Sequence, residues 1–316
     1  MGLSNQDATA IVTDNGLRTQ YAVQLPPGAR VAAYVRSTGY QLGDDDFLAA
    51  NLVATLAAGL ARVRAGFGDF VIVLPGHAEN VTDATTISGA IVAGAKILGV
   101  GQGGNTPTFT FTTTTASIAV SVNDVVIAGC RFLLDGINAV ANAFNITGAD
   151  FLFQFNDVEV STTAKACAIA MTLGTGAHRA NISSNTFRGL ASSTCTNGIL
   201  VSGAITDARI VANEMVFPTT TTNGLINVTG VAVGLKILQN VINNTIAASI
   251  AGINFANVAI TGCCAGNFIT VLSTGAFSAG VTAITVGGTN NLIGFFQNFG
   301  VNDANKSGLL VPAVDT

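Results

Sequence analysis

The residues of this chain that could do chemistry are a small group of acids with an arginine. Asp150, Asp157 and Glu159 lie close together in the sequence, and Arg179 or Arg188 follows as a possible basic partner. A glycosidase needs two carboxylates roughly 5 to 10 Å apart on one face of the protein. These acids with Arg179 are therefore the candidate catalytic group. The alternative is that the acids are turn residues that bond their own backbone.

Two other features point only weakly to chemistry. His77 and Glu79 in "PGHAENV" are a possible fragment of a metal or acid/base site, but the sequence nominates no further ligands, so a turn histidine is the favoured interpretation. The five cysteines have no zinc-like spacing, which favours reduced thiols in a protein folded in a cytosol. A redox or metal role for the adjacent pair Cys263 and Cys264 stays open. We predict no cofactor and no metal.

A repeat of about 27 residues must position these groups. Ile182, Ile210 and Ile237 open three copies of the pattern Ile-x-x-Asn-x-apolar, with steps of 28 and 27 residues. Further copies extend the series on both sides, with leading residues at Ile97, Ile127, Phe153, Ile260 and Ile293. Repeats of 20 to 50 residues are typical of solenoids, propellers and other arrays.

The composition of each repeat indicates strands. The repeats are rich in Val, Ile, Thr and Phe, alternate apolar with polar residues, and are punctuated by Gly, Asn and Asp. About 27 residues make two or three short strands with their turns, which is one coil of a parallel β-helix. A propeller blade would need about 40 residues. The predicted fold class is therefore all-β, a parallel β-helix solenoid.

Stacked coils place equivalent residues on top of one another, about 4.8 Å apart. Ile182, Ile210 and Ile237 should form an inward ladder. An asparagine ladder should lie at the bend between strands, where each amide bonds its neighbours and tolerates left-handed backbone. Its predicted members are Asn156, Asn185, Asn213 and Asn240.

The chain begins with two segments that do not repeat. Residues 1–45 contain Tyr21, Tyr34 and Tyr40, all the tyrosines of the chain, and we predict that they form an extended docking arm. Residues 46–66 begin with acids and place leucines four apart, which predicts one amphipathic helix that caps the first coil.

The remaining boundaries follow from the extent of the repeat. Residues 67–300 are predicted to be the coils, and 301–316 a C-terminal tail. The tail shows no trimerisation domain of the kind that many tailspikes carry.

Composition limits the partners. Charged residues make up 9% of the chain, the net charge is −4 and mean hydropathy is +0.55. The 13 basic residues are scattered, so we expect no nucleic-acid partner. No unbroken apolar run of 18 residues occurs, so we expect no membrane span, and no secretory signal is visible at the N-terminus. The apolar excess is best explained by a laddered core together with an oligomer surface.

A family resemblance adds to these inferences. The stretch "AGFGDFVIVLPGHAENV", with its "GD-x-V-x-V-x-PG" opening, leads into the Ile-x-x-Asn-x-apolar coils. It resembles the right-handed, single-stranded parallel β-helix superfamily of pectate-lyase-like proteins, over residues 46 to about 300. Within that superfamily, the arm, the low charge and the abundance of Thr and Ala are most similar to virion proteins of tailed bacteriophages.

The resemblance implies a non-enzymatic protein that decorates or cements a phage capsid. It implies a homotrimer on the virion surface, bound to the major capsid protein or another virion protein, and synthesised in the cytoplasm of the host bacterium. A fibre or tailspike is one alternative. A carbohydrate-active enzyme is the other, either a hydrolase or a lyase with an acidic calcium cluster and a basic residue. The chain has no Trp and no Tyr beyond residue 40, which counts against a sugar-binding groove.

Overall fold

The computed structural model is a parallel β-solenoid of about seven turns, with three parallel sheets and very little helix. This confirms the predicted fold class; the right-handed turn of the coil stays a prediction. The structure describes residues 9–12, 21–24, 27–37, 51–161, 165–189, 194–216, 224–244, 252–256, 259–271, 284–286, 292–302, 307–309 and 313–314.

Each coil contributes one strand to each sheet, and we number the strands in chain order. The first sheet contains, in spatial order, β4 (Leu52–Val53), β3 (Val31–Val35), β5 (Phe70–Val73), β7 (Lys96–Gly99), β10 (Val126–Ala128), β13 (Leu152–Gln154), β16 (Asn181–Ser183), β20 (Arg209–Val211), β23 (Ala232–Leu238), β26 (Ile260–Ala265) and β29 (Leu292–Phe296), with β19 (Ile205–Thr206) beside β23.

The second sheet lies beyond the asparagine bend. It contains β6 (Ala78–Val81), β8 (Thr108–Phe111), β11 (Arg131–Leu133), β14 (Asp157–Val160), β17 (Thr186–Gly189), β21 (Glu214–Val216), β24 (Val241–Asn244), β27 (Phe268–Val271), β30 (Phe299–Asn302) and β31 (Ser307–Leu309). All of its pairs are parallel except β30 with β31.

The third sheet completes the coil. It contains β9 (Ile118–Val120), β12 (Val140–Ile146), β15 (Ala166–Leu173), β18 (Thr194–Val201), β22 (Ile226–Val228), β25 (Ile253–Phe255), β28 (Ile284–Val286) and β32 (Ala313–Val314). Outside these sheets, β1 (Thr9–Val12) pairs antiparallel with β2 (Tyr21–Gln24). The helical segments are α1 (Leu56–Leu60) and the 3-10 turns η1 (Ser88–Ala90) and η2 (Gly103–Asn105).

The core is an inward ladder along the first sheet. Ile182, Ile210 and Ile237 are directly opposite one another in register and are fully buried. The sequence placed the next members at Ile260 and Ile293. The structure instead continues the ladder through Cys264 and Phe295. A shift of register within the pairing of β23 with β26 moves the position that follows Ile237 along the chain.

Phenylalanine rings fill the wider part of the core in the N-terminal half. The ring centroids of Phe132 and Phe144 are 4.9 Å apart, those of Phe144 and Phe153 are 5.0 Å apart, and those of Phe109 and Phe132 are 5.5 Å apart. Such pairs add to the stabilisation that burial of the rings already gives. The strand phenylalanines of this region are therefore core residues rather than a sugar-binding surface.

The four predicted asparagines form one stack, and two more extend it. The members, all buried, are Asn156, Asn185, Asn213, Asn240, Asn267 and Asn298. The backbone N–H of Asn185 donates to Oδ1 of Asn213 at 3.0 Å. The Nδ2 group of Asn185 donates to the same Oδ1 at 3.0 Å and to the carbonyl of Phe153 at 2.9 Å. The same pattern repeats along the stack, so these buried amides are satisfied.

The left-handed backbone at this bend lies one residue before each asparagine. The angle φ is 55° at Phe155, 55° at Ser184, 54° at Ala212, 55° at Gln239 and 47° at Gln297. The sequence analysis had assigned this conformation to the asparagines themselves. A non-glycine residue in such a conformation costs about 1 kcal/mol or more. The hydrogen bonds of the asparagine that follows hold the bend closed.

The solenoid begins inside the segment that was predicted to be an arm. Strand β3 pairs with β5, and Val35 is fully buried in the core. Tyr34, on the opposite face of β3, is also buried and packs with Ile72 and Leu74. Tyr34 is therefore a packed residue of the first coil and not a docking residue. The side chain of Tyr21, and Tyr40, lie outside the described residues.

The predicted capping helix is interrupted. Residues 52 and 53 pair with β3 as strand β4, and a new helix, α1, starts after Thr55, whose Oγ1 accepts the N–H of Ala58 at 3.2 Å. The capping role survives in this short helix. A Cβ placed on Gly59 would lie 2.9 Å from the side chains of Val35 and Val71, so α1 packs directly on the core. Residues 46–50 lie outside the described part of the chain.

The predicted tail, 301–316, contains strands in its described parts. Residues 307–309 pair with β30, and 313–314 pair with β28. Two segments that were expected to be separate therefore share the sheets of the solenoid. The boundaries at residues 67 and 300 stay predictions.

The "GD" opening of the first coils has a structural role. Asp69 is fully buried, and Oδ2 and Oδ1 accept hydrogen bonds from Nε and Nη2 of Arg64 at 2.8 and 2.6 Å. Two backbone N–H groups, of Arg64 and Arg30, donate to the same carboxylate at 3.0 and 3.1 Å. Burial alone would raise the pKa of Asp69, but these hydrogen bonds lower it to about 2. One carboxylate thus joins three segments of chain.

Candidate functional site

One group of charged residues lies at the turn that enters the first sheet. Successive coils place Asp124, Asp150, Arg179 and Asp207 at equivalent positions, with φ between 56° and 61°. Asp tolerates this left-handed conformation because its short side chain can bond locally. The stacking agrees with the turn interpretation of these acids. We call this set the turn column.

Two ion pairs run along the turn column. Nε and Nη2 of Arg179 donate to Oδ1 and Oδ2 of Asp150 at 2.7 and 2.6 Å, a bidentate contact. This hydrogen bonding lowers the pKa of Asp150 and raises the pKa of Arg179. Nζ of Lys96 lies 2.8 Å from Oδ1 of Asp124. Both pairs are largely exposed, so they are screened by water and salt.

The other two acids of the candidate catalytic group lie on a different surface. Asp157 and Glu159 belong to β14, on the outer face of the second sheet. Glu159 accepts a hydrogen bond from Nε of Arg131 at 3.1 Å. Strand β13 and the asparagine bend separate these acids from Asp150. The structure therefore brings Asp150 and Arg179 together, and leaves Asp157 and Glu159 out of that pair.

The partner of Glu159 was not nominated by the sequence. Arg131 is opposite Asp157 in register, and its long side chain reaches diagonally to Glu159, two residues further along β14. The usable signal was the equivalent spacing: Arg131 precedes Phe132 as Asp157 precedes Val158. Diagonal neighbours on one face of a sheet are within reach of long side chains.

The surface column proposed for Glu159, Arg188 and Glu214 is wrong in one member. Glu159 is opposite Arg188, but Glu214 is opposite Thr186, in the neighbouring outward column. A one-residue difference in position moves a side chain out of its column because successive residues of a strand point to opposite faces, and a two-residue difference moves it to the next column.

His77 and Glu79 contact one another in the first coil. His77 is almost fully buried, and its Nε2 lies 3.0 Å from Oε2 of Glu79. The same oxygen accepts the backbone N–H of Leu56 at 2.8 Å, so Glu79 also serves the N-terminus of α1. The ring of His77 packs 5.4 Å from that of Phe109. These contacts join the capping helix to the second sheet.

Two searches concern ligands and membranes. Within the described ranges, no group of three or more His, Cys, Asp or Glu side chains is arranged to hold a metal ion. Within those ranges, too, no helix has the length and apolar character needed to cross a bilayer.

The second sheet carries exposed apolar side chains at its C-terminal end. Val241, Phe268 and Phe299 are opposite one another in register on β24, β27 and β30. They are 46%, 45% and 50% exposed. We call these three residues the apolar column. It continues the outward column that contains Asp157 and Glu214 in earlier coils.

The exposure of the turn column predicts a small effect of substitution. Asp150→Asn keeps the side-chain shape and a residue type that tolerates positive φ, but removes the negative charge that pairs with Arg179. We expect the melting temperature to change by no more than about 2 °C. Thermal unfolding followed by circular dichroism, at low and high salt, measures this. A drop of ten degrees or more would contradict the view that the pair is a weak surface contact.

The comparisons with known proteins give no match: no family model, no curated protein and no solved structure matches this chain. The fold and the placement of its side chains therefore carry the functional argument.

Proposed function

We propose that this chain is a non-enzymatic structural protein of a tailed bacteriophage, which decorates or cements the capsid as a homotrimer. Its partners would be copies of itself and the major capsid protein or another virion protein. It would be made in the cytoplasm of the host bacterium and reside on the virion surface. The apolar column of Val241, Phe268 and Phe299 is the observation that carries self-association.

The apolar column is suited to contact with another copy of the chain. Its members are about 4.8 Å apart, the spacing of neighbouring strands, so they form a continuous strip instead of isolated surface residues. Contiguous exposed apolar surface favours protein–protein contact. In a closed trimer, each copy would bury the same strip about a common axis, which removes it from water without creating open-ended fibres.

The earlier coils of the same face favour a defined register between copies. Arg131, Asp157, Glu159 and Arg188 occupy the outer face of the second sheet, where the apolar column occupies it later. Charges at the rim of an interface contribute more to specificity and orientation than to affinity. A face that changes from charged to apolar along the solenoid axis supports parallel copies, because antiparallel copies would place apolar residues against charged ones.

The charged side chains also support a structural role. Asp150 is bonded to Arg179, and Glu159 to Arg131, so the two best candidates for acid chemistry already have basic partners. An ionised carboxylate with a depressed pKa, as at Asp150, is poorly suited to act as a general acid. The assignment to a phage virion is supported by the sequence resemblance and by the low content of charge.

Replacing Phe268 with glutamate should break the self-association. The substitution puts a charge at the centre of the apolar column, and burying it against an apolar neighbour costs several kcal/mol. We expect the mass in solution, measured by light scattering, to fall from three chains to one. The control is Phe155→Glu, at a bend residue that is 66% exposed and outside the apolar column; it should leave the trimer intact.

Two results would count against the proposal. A wild-type chain that is monomeric at all concentrations removes the trimer. Depolymerisation of a polysaccharide by the wild-type chain, lost in Asp150→Asn without loss of folding, would replace the structural role with the alternative of a carbohydrate-active enzyme. Sedimentation with purified capsid shells, with and without residues 1–45, tests the attachment and the docking arm together.

A further inference from the structure

Two buried cysteines of the third sheet lie directly opposite each other. Cys167 in β15 is in register with Cys195 in β18, on successive coils. Both are free thiols, and they are 1% and 0% exposed. Neighbouring strands are about 4.8 Å apart. That separation lies inside the range of about 4.4 to 6.8 Å that Cα atoms of a disulfide span.

The two thiols interact in the reduced protein. The thiol of Cys195 donates to the carbonyl of Asn197 at 2.9 Å, which leaves the sulfur able to accept from Cys167. Hydrogen bonding with Cys195, together with burial, raises the pKa of Cys167. The side chains therefore already point at each other, and no large movement of the backbone is needed to join them.

The other described cysteines have no such partner across the strands. Cys263 is opposite Lys236 and Gly294, and Cys264 is opposite Ile237 and Phe295. Cys130 is buried at the bend before β11 and hydrogen-bonds a backbone carbonyl. A reaction that needs two adjacent thiols is therefore selective for the third sheet within the part of the chain that the structure describes.

We propose that Cys167 and Cys195 form a reversible disulfide between two coils when the chain meets a small-molecule disulfide such as oxidised glutathione. One cysteine, as thiolate, attacks the small disulfide, forming a mixed disulfide and releasing one small thiol. The second cysteine, as thiolate, attacks the protein sulfur of that mixed disulfide and releases the other small thiol. Both cysteine protons go to solvent or to the released thiolates. The two cysteines are oxidised, and the small disulfide is reduced to two thiols.

The burial of the pair determines when the reaction occurs. The thiolate is the reactive form, and a raised pKa keeps Cys167 protonated, so exchange in the folded chain is slow and speeds up as pH rises. The bond would close a loop whose ends are 195 − 167 = 28 residues apart. Such a cross-link restricts the unfolded chain and stabilises the folded one. The proposal does not depend on the proposed function.

Peptide mapping of the full-length wild-type chain tests the proposal. The reduced chain is treated with oxidised glutathione, the remaining thiols are alkylated, and the chain is cleaved with trypsin without reduction. Cys167 then lies in the peptide 166–179 and Cys195 in 189–209. We expect these two peptides to be linked, and the oxidised chain to melt at a higher temperature than the reduced chain. Recovery of both peptides alkylated, or bearing glutathione, overturns the proposal.

Two variants sharpen the result. Cys130→Ala keeps the pair and should still give the linked peptides, with the same gain in melting temperature. Cys195→Ala should lose both. If Cys195→Ala fails to fold, the peptide map of the wild-type chain still decides the question by itself. A link between Cys167 and Cys263, in place of Cys195, would also contradict the proposal.

Discussion

Replacing Asn213 with alanine should lower the free energy of unfolding by about 3–5 kcal/mol. The substitution leaves three buried groups without their partner: the backbone N–H and the Nδ2 group of Asn185, which both donate to Oδ1 of Asn213, and the carbonyl of Ile182, which accepts from its Nδ2. Each unsatisfied buried group costs about 1–3 kcal/mol. Water cannot compensate easily, because the position is only 1% exposed.

The loss should be local as well as large. A solenoid is held together mainly by contacts between neighbouring coils, so the coils on either side of Asn213 should open first. Urea unfolding gives the global change, and hydrogen exchange at the amide of Asn185, which loses its acceptor, gives the local one. Asn145→Ala is the control, since Asn145 is exposed on the third sheet and its loss should cost less than about 0.5 kcal/mol. An equal effect of the two substitutions would contradict the ladder as a source of stability.

The chemistry of the amide can be separated from its shape. Asn213→Asp keeps the volume but replaces two donors with an acceptor that is charged at neutral pH. We expect it to be at least as destabilising as alanine at pH 7. It should recover part of the loss at low pH, where a protonated carboxyl regains one donor. This recovery, absent in Asn213→Ala, would show that donation to Ile182 and Asn240 matters and not volume alone.

The repeated coils were predictable because their physics is periodic. A residue that recurs every 27 or 28 positions must stack on itself if the chain coils with that period, and the registers of Ile182, Ile210 and Ile237 follow from spacing alone. The prediction failed where the period slips. Between β23 and β26 a local irregularity shifts the pairing, so Cys264 takes the inward position that counting had assigned to Ile260.

The charge contacts were less predictable because they depend on column and rotamer. Arg179 and Asp150 are adjacent because both stand at the same turn of consecutive coils, which the sequence alignment of coils did show. The reach of Arg131 to Glu159 is diagonal and depends on the side chain, which spacing does not reveal. The left-handed residue before each asparagine is also hidden, since Phe155 and Gln239 are not residue types that favour it.

The N-terminal cap shows the same limit more strongly. The leucines spaced four apart indicate a helix, but Leu52 and Val53 gain more by pairing with β3 in the sheet, so tertiary contacts override the local pattern. The role of Asp69 was hidden for a related reason. Its partners, Arg30 and Arg64, come from segments that approach it only in the folded chain.

Replacing Asp69 with asparagine should destabilise the protein by about 3–5 kcal/mol at pH 7. The change removes the negative charge from a buried site and places an amide donor against the guanidinium of Arg64, which also donates. The first coil and α1 should loosen together, because Arg64 follows α1 in the chain and also bonds the carbonyl of Gly28. Urea unfolding measures the loss. Asp150→Asn, the same chemical change at an exposed pair, is the matched control and should have little effect.

The pH dependence gives a second, independent reading of Asp69. Its pKa in the folded chain is about 2, below the value of about 3.9 for an unfolded chain, so folding favours the ionised form. The stabilisation is complete above pH 4 and is lost as the pH falls from about 4 to about 2, by about 2 kcal/mol. Subtracting the pH profile of Asp69→Asn from that of the wild type isolates this change, because the other acids titrate in both chains. A difference that is flat between pH 2 and 4 would show that Asp69 is not held as a carboxylate by Arg64, and the buried ion pair would then not be what fixes the start of the solenoid.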